Sequence, residues 1–412
     1  MRLLIAIVVL SVLAEPVLHS ESKSQLPTHG TINILLANSH GIVLVTDSRA
    51  SDQFGRKVND TSQKLFQIDP VTVCSIAGFG SDRGPYWKLR TSAGGVISAF
   101  AEGLEQSHGN PSFRQKVVAL TQQLSFRLEV LESEYQYAEH SRPPAEDKLI
   151  MLFAGFDVDG STVIARAEVS VSAIRLADST LSYQGNVSDI KIEPINKDFL
   201  YLISGVDDSA KFRLKSPQTF GDEKELKDYG QAVRHGHTAD LSLDQMDKLA
   251  NYLGIEASLS SSVIGGPIQE ATLTDQHVKM KLPNNLTLDT KPLTSVFLID
   301  DRIQGFPVFP AISTPPNSVF VDVDCENSAM ILDDSIIIGG RYVKCNFYFD
   351  GGDVYRDPSV KIDGGQLILG PHVSLNSYYY DKALKSLPEL TPISYKDLPN
   401  ADFVRKRIWP TD

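Results

Sequence analysis

The chain has 412 residues and a mass of 45.3 kDa, room for two or three domains at about 100–200 residues each. Acids outnumber bases 51 to 39, and the net charge of −12 argues against a nucleic-acid or polyanion partner, which would need a basic face. Ordinary composition (42% hydrophobic, 22% charged), three cysteines and one long apolar run exclude a disulfide-stapled miniprotein, a four-cysteine zinc site and a multipass membrane protein.

The first element is an address. Met1-Arg2 precedes LLIAIVVLSVLA, which ends at Ala14 and is shorter than the ~20 residues of a membrane-spanning helix. Small residues beyond it (Val12-x-Ala14, Leu18-x-Ser20) make residues 1–20 a secretory signal peptide, with a membrane anchor as the alternative. Residues 21–30 are polar and aperiodic, a propeptide or linker. Export places the rest in an oxidising compartment, secreted or periplasmic, where Cys325 and Cys345 would pair and leave Cys74 free. Asn59-Asp-Thr, Asn186-Val-Ser and Asn285-Leu-Thr are glycosylation acceptors only in a eukaryotic host.

Residues 31–37 and 41–47 are apolar, β-branched runs joined by Asn38-Ser39-His40, a hairpin of buried strands, and 71–79 supplies another strand. Phe113, Val117, Leu120, Leu124, Leu128, Leu131 and Tyr135 recur at steps of three and four, predicting a helix over 112–138 just after Pro111. Strands follow at 149–156, 162–170 and 199–206. Ser242 with Gln245 forms a capping box ahead of Met246, Leu249, Ala250 and Leu253, starting a second long helix near 243. Further strands fall at about 268–274 and 294–300. Four prolines mark 305–316 as a linker. Residues 317–373 then carry short β-rich runs at 319–324, 330–338, 342–349, 352–355 and 366–369, a small all-β module of stacked hairpins or short coils. Residues 374–412, with Tyr378-Tyr379-Tyr380, form a C-terminal tail that wraps back.

No HExxH, GxSxG, P-loop or GxGxxG motif stands out. The chemistry-bearing feature is a threonine directly after glycine at the start of the first strand, His29-Gly30-Thr31. A cut between Gly30 and Thr31 would give the threonine its own base, an α-amine whose reference pKa of about 7.7–8.0 suits proton transfer near neutrality.

The runs GTINILLANSHGIVLVTDSRAS, QKLFQIDP and SIAGFGSD together resemble the β-type catalytic subunits of proteasomes, within the N-terminal nucleophile hydrolases. The match is closest over 30–82, weaker to about 274, and absent beyond 300. The resemblance implies an α+β chain in which residues 31–304 form a four-layer α/β/β/α sandwich of the N-terminal nucleophile hydrolase type, with the C-terminal all-β module added. It implies Thr31 as nucleophile and Gly30 as the last propeptide residue. Asp47, sixteen residues after Thr31, would hold the active-site lysine, Lys64, whose spacing is one residue longer than the family pattern through an insertion in 51–61. Arg49 would buttress the site, Gly78 would offer its backbone N–H to the oxyanion, and Ser204 would support the amine. Ala50, Ser62, Ile76 and Gly80 would surround an uncharged, apolar-floored specificity pocket. The chain departs from the family where an acid and a serine are expected: Ser261 and Ile264 stand there, in Ser261-Ser-Val-Ile264-Gly-Gly.

The physical roles suit these residue types. A cation beside the amine lowers its pKa and favours the basic form, and a buried ammonium needs a counter-ion. Other polar features read as structural. His29, His40, His235 and His237 have no ligand spacing, and Asp207-Asp208, Asp300-Asp301 and Asp333-Asp334 read as turns or helix starts. Asp350-Gly-Gly and Asp363-Gly-Gly read as hairpin turns. No metal and no organic cofactor is expected. The sequence therefore leads to a threonine-type endopeptidase-like hydrolase with a peptide or amide substrate, a homo-oligomer as one assembly, and an unidentified partner for the β module. The alternatives are a catalytically inactive scaffold or binding protein, and an N-terminal nucleophile amidase acting on a small amide.

Overall fold

A computed structural model describes residues 30–409 except 52–55, 79–92, 140–147, 177–180, 189, 196–198, 206–207, 217–225, 275–276, 288–296, 305–317 and 376. The signal peptide, residues 21–29, the proline-rich linker and Gly80 lie outside the described residues.

β1 (Ile32–Asn38) and β2 (Gly41–Thr46) form the expected hairpin, paired from Asn33↔Thr46 to Asn38↔Gly41. A short pair, β3 (Ala50–Ser51) and β4 (Lys57–Asn59), precedes β5 (Leu65–Asp69) and β6 (Thr72–Gly78). Helices α1 (Ala93–Gln106) and α2 (Phe113–Glu139) follow. Ser112 and Gln115 cap α2 reciprocally: Ser112 N–H donates to the Gln115 side chain at 2.8 Å, and Gln115 N–H to the Ser112 hydroxyl at 3.3 Å. β7 (Lys148–Phe156), β8 (Thr162–Arg175), β9 (Leu181–Val187), β10 (Lys191–Pro194) and β11 (Leu200–Gly205) come next. Three helices lie beyond them: α3 (Asp208–Lys215), α4 (Lys227–His235) and α5 (Leu243–Ser260). The predicted box of Ser242 and Gln245 caps α5, which buries Met246, Leu249, Ala250 and Leu253. β12 (Gln269–Thr274) and β13 (His277–Lys281) complete this part.

One sheet has the order β11-β1-β2-β12-β13 and a second the order β10-β8-β7-β6-β5, with β9 paired to β8. Strand alternation sorts their side chains. Leu35, Ala37, Ile42 and Leu44 meet Leu65, Val73, Leu152 and Ile164 between the sheets, whereas Ile32, Ile34, Val43 and Val45 turn to α3–α5. Phe66, Cys74, Met151 and Val169 turn to α1 and α2.

The C-terminal third is built from parallel coils. Strands β14 (Phe297–Ile299), β15 (Arg302–Gln304), β16 (Val319–Val321), β17 (Asp324–Glu326), β18 (Ala329–Ile331), β19 (Ser335–Ile338), β20 (Arg341–Phe349), β21 (Val354–Arg356) and β22 (Lys361–Leu369) pair only in parallel. After α6 (Tyr378–Ser386), β23 (Thr391–Ser394) extends the β22 edge, and α7 (Ala401–Ile408) precedes Trp409, which packs on Tyr348 and Tyr395. A disulfide joins Cys325 to Cys345 with Cα atoms 6.5 Å apart.

This architecture corrects the expected four-layer α/β/β/α sandwich. The described residues are mostly β, 42% strand against 29% helix, with seven helices and a β-solenoid-like region. The solenoid is also no appendage. Its Val319, Val321, Ile336 and Ile338 share one apolar cluster with α1, α2 and β6–β8. Phe297 lies edge-on to Phe100 of α1, centroids 5.3 Å apart. The helices α1 and α2 are thus covered on both sides rather than forming an outer layer. The hairpin reading of the module also fails. Asp363-Gly-Gly lies inside β22, parallel to β20, and Asp350-Gly-Gly turns a corner from β20 to β21, which belong to different sheets. Asp300, Asp322 and Asp334 adopt left-handed φ of 54°, 52° and 48°, so aspartates as well as glycines turn these corners. Among the described residues no helix is long and apolar enough to cross a membrane.

Candidate functional site

Thr31 stands one residue before the first pairing of β1, Ile32↔Gly205. Asp47 follows the last residue of β2, and Lys64 precedes β5, so three element ends converge. Lys64 Nζ donates to Thr31 Oγ1 at 2.7 Å, to Asp47 Oδ1 at 3.1 Å and to the Gly30 carbonyl at 3.2 Å, and it also contacts the Arg49 carbonyl. An ammonium has three N–H groups, so four acceptors share three donors. The Thr31 hydroxyl donates to the Gly30 carbonyl at 2.9 Å. Thr31 is 3% exposed, Lys64 7% and Asp47 0%. Burial lowers the Lys64 ammonium from its ordinary value, and the Asp47 charge opposes that push.

Both Asp47 oxygens are saturated. Oδ1 accepts from Ile32 N–H at 3.1 Å as well as from Lys64, and Oδ2 accepts from Arg49 N–H at 3.2 Å and Gly265 N–H at 3.0 Å. Buried charge is tolerated where it is bonded in this way. Arg49 holds the turn on the other side: its guanidinium donates to Asp60 at 2.7 Å, Ser262 O at 2.9 Å and Ile264 O at 3.1 Å. That hydrogen bond, with a second from Lys57, holds the Asp60 carboxyl at about 2, and it raises the Arg49 guanidinium in return.

The 261–266 turn is therefore anchored through its backbone. Ser261 is the C-cap of α5, and Ile264 is buried in the apolar cluster with Ile32 and Val263. Glycine is required at two neighbouring places. A Cβ on Gly30 would fall 2.0 Å from the Val263 carbonyl, and one on Gly205 (φ +95°) would fall 1.8 Å from the Thr31 carbonyl.

The structure brings Gly30, Thr31, Asp47, Arg49 and Lys64 together. Ser204 sits opposite Asn33 in β11, and its hydroxyl accepts from the Asn33 amide at 3.3 Å. Gly78 ends β6 opposite Leu149 with φ +97°. Ala50 pairs with Asn59, to which the Ser62 hydroxyl also donates. Ile76 packs in the α1–α2 cluster. A cavity of about 1040 Å³ runs between β5 and α1, lined among others by Gln63, Phe66, Ile68, Glu102, Leu104 and Glu105, and it stops short of Thr31 and Lys64. Among the described residues no group of three or more His, Cys, Asp or Glu side chains is arranged to hold a metal ion.

Sequence reasoning missed three participants. Asp60 carries no motif, and Gly265 stood in the Ser261-Ser-Val-Ile264-Gly-Gly turn with no role given to its N–H. Gln269 in β12 has the spacing of an ordinary strand residue, yet it is fully buried beside Lys64. No protein-family model matches the chain, and no curated protein matches it significantly.

Proposed function

We propose that this protein is a threonine-type hydrolase of amide bonds, with Thr31 as an N-terminal nucleophile after loss of residues 1–30. The observation that carries the reading is one buried ammonium, Lys64 Nζ, bonded at once to the Thr31 hydroxyl and the Asp47 carboxylate. The same ammonium reaches the carbonyl of the Gly30–Thr31 peptide, so the group sits against the bond whose loss would free the Thr31 nitrogen.

Two steps follow from this arrangement. In the uncleaved chain Lys64 polarises the Gly30 carbonyl that the Thr31 hydroxyl already touches. Attack of Oγ1 on that carbonyl carbon breaks the Gly30–Thr31 amide, forms an ester and leaves the nitrogen as a free amine. Water then hydrolyses the ester, leaving a Gly30 carboxylate and a Thr31 with its own base. In turnover the amine takes the Oγ1 proton as the hydroxyl attacks the substrate carbonyl, then passes it to the leaving amine. Lys64 keeps the amine pKa low by its charge. The Gly78 N–H is the proposed oxyanion donor, a role worth roughly 2.7–4 kcal/mol in other hydrolases. The substrate is a peptide or small amide, and the protein is exported by its signal peptide. The proteasome β-type resemblance supports the same assignment.

A second reading, a scaffold that has kept the site without its chemistry, is favoured by Ile264, buried in apolar surroundings where the resemblance expects a serine. Treatment of the purified protein with a β-lactone separates the two. The hydrolase reading expects a stable acyl adduct on Thr31 that Thr31→Ala abolishes. Equal labelling of both proteins, or none of either, supports the scaffold.

A further inference from the structure

We infer that Gln269 is a positioning residue for this site, an internal clamp that fixes Lys64 relative to Asp47; the inference rests on the hydrolase reading above. The Gln269 side chain is fully buried, and all of its bonding capacity goes to the two segments that carry the charged pair. Its oxygen accepts from Lys64 N–H at 2.9 Å and from Leu65 N–H at 3.1 Å. Its amide nitrogen donates to the Asp47 carbonyl at 3.2 Å and to the Ser62 carbonyl at 2.9 Å. One planar group thus joins the end of β2 to the start of β5 from the adjacent strand β12, where Gln269 pairs with Thr46.

The chemistry of the four partners leaves little room for another side chain. Two are donors and two are acceptors, so only a carboxamide satisfies both pairs. Lys64 has a second backbone tie, its carbonyl accepting from Ile76 N–H at 3.0 Å, which fixes it along β6 but not toward Asp47. A backbone bond from Ser62 N–H to the Ser48 carbonyl at 2.9 Å also ties the two segments, and Gln269 adds the contacts that reach the Lys64 and Asp47 backbones themselves. Without those contacts the Lys64 ammonium would meet Thr31, Asp47 and the Gly30 carbonyl from a less fixed backbone, and a displacement of about 1 Å can cost a reaction about 100-fold.

The test uses the full chain after processing. Gln269→Met keeps length and volume and removes all four bonds. Gln269→Glu keeps the acceptor but turns a carboxylate toward two carbonyls, so it needs a proton to restore one of the lost donations. Rates of Thr31 acylation by a β-lactone are compared across pH, with the folded fraction of each variant checked by thermal unfolding. The expected result is a 10–100-fold slower acylation in folded Gln269→Met. The acidic limb of its pH profile should move to higher pH, because a displaced Lys64 lowers the amine pKa less. The deficit of Gln269→Glu against the wild-type protein should narrow toward low pH, so it serves as the informative variant where Gln269→Met does not fold. A rate within twofold and an unmoved limb in a folded variant overturn the proposal. If the wild-type protein is not acylated, the hydrolase reading fails and the clamp is judged on ¹⁵N-lysine titration: a Lys64 midpoint displaced in Gln269→Met or Gln269→Glu upholds it, and an unchanged midpoint overturns it.

Discussion

Two places in this molecule assemble the same three residue types, with the two distances interchanged. Lys64 Nζ lies 2.7 Å from Thr31 Oγ1 and 3.1 Å from Asp47. Lys116 Nζ lies 3.1 Å from Thr72 Oγ1 and 2.7 Å from Asp69. Both lysines are buried. The second trio locks the first turns of α2 to the β5–β6 corner, where Asp69 also accepts from Val71 N–H. Thr72 sits inside a continuous sheet, opposite Asp69 on one side and Gly155 on the other, so freeing its nitrogen would break both pairings. Thr31 precedes the first pairing of β1, and a cut ahead of it leaves every strand pair in place. Lys64 also reaches the carbonyl of the Gly30–Thr31 peptide, the bond proposed to be cut. A lysine–aspartate–threonine trio therefore satisfies a buried charge twice in this molecule without implying chemistry. Only the position of the first against the Gly30–Thr31 peptide supports the proposed chemical use.

The comparison is broken most directly by removing each lysine. Lys64→Met should lower the rate of Thr31 acylation by about 10²–10⁴-fold, the usual worth of a group that tunes proton transfer. Lys116→Met should leave that rate within twofold while costing about 1–3 kcal/mol in urea unfolding, less than a fully buried pair because Asp69 keeps some solvent contact. Equal kinetic losses in the two variants would erase the distinction.

A smaller effect comes from two carboxylates of the solenoid that burial keeps protonated above the usual range. Burial, aided by the charges of Asp350 and Asp334, raises Asp333 to about 7, and burial raises Asp334 to about 6. An acid whose folded pKa is raised binds its proton more tightly when folded. Its contribution is favourable in acid and declines as pH climbs from about 4 through about 7. Asp333→Asn keeps an acceptor for the Asp350 N–H, which now lies 2.7 Å away. The melting temperature should rise at pH 8 and stay unchanged at pH 4. An equal gain at both values would show that the charge is not the cause.

The smallest effect belongs to the Arg49–Asp60 brace. Asp60 is held at about 2 against an ordinary 3.8, so its stabilisation is complete above pH ~4 and is lost as pH falls toward 2. Asp60→Asn should flatten that acid arm and slow acylation by a few-fold, since Arg49 would still hold Ser262 and Ile264.

Local signals in the sequence carried part of this. The β1–β2 hairpin followed from its apolar runs, and the start of α5 from its capping box, because both are short-range patterns. Thr31, Asp47 and Lys64 are named through the proteasome β-type resemblance, and the contacts of Lys64 with the other two are what the structure adds. The helix α1 was not legible: it begins Ala93-Gly94-Gly95, a poor helical start, and its buried face is short. The module stayed open between hairpins and short coils because runs of three or four β-branched residues between Gly-Gly pairs look alike in both, and only pairing partners distant in sequence separate them. Gln269 left no trace at all, since its function lies in four backbone groups, which carry no side-chain signature.

The account turns on whether Thr31 ever owns a free nitrogen. Intact-mass and N-terminal analysis of the mature protein, isolated from its native compartment, answers that directly. The account predicts a chain that begins at Thr31, with Thr31→Ala retaining Gly30. A mature chain beginning near Glu15 or Glu21, with the Gly30–Thr31 bond whole, would contradict it and leave Lys64, like Lys116, a structural cation.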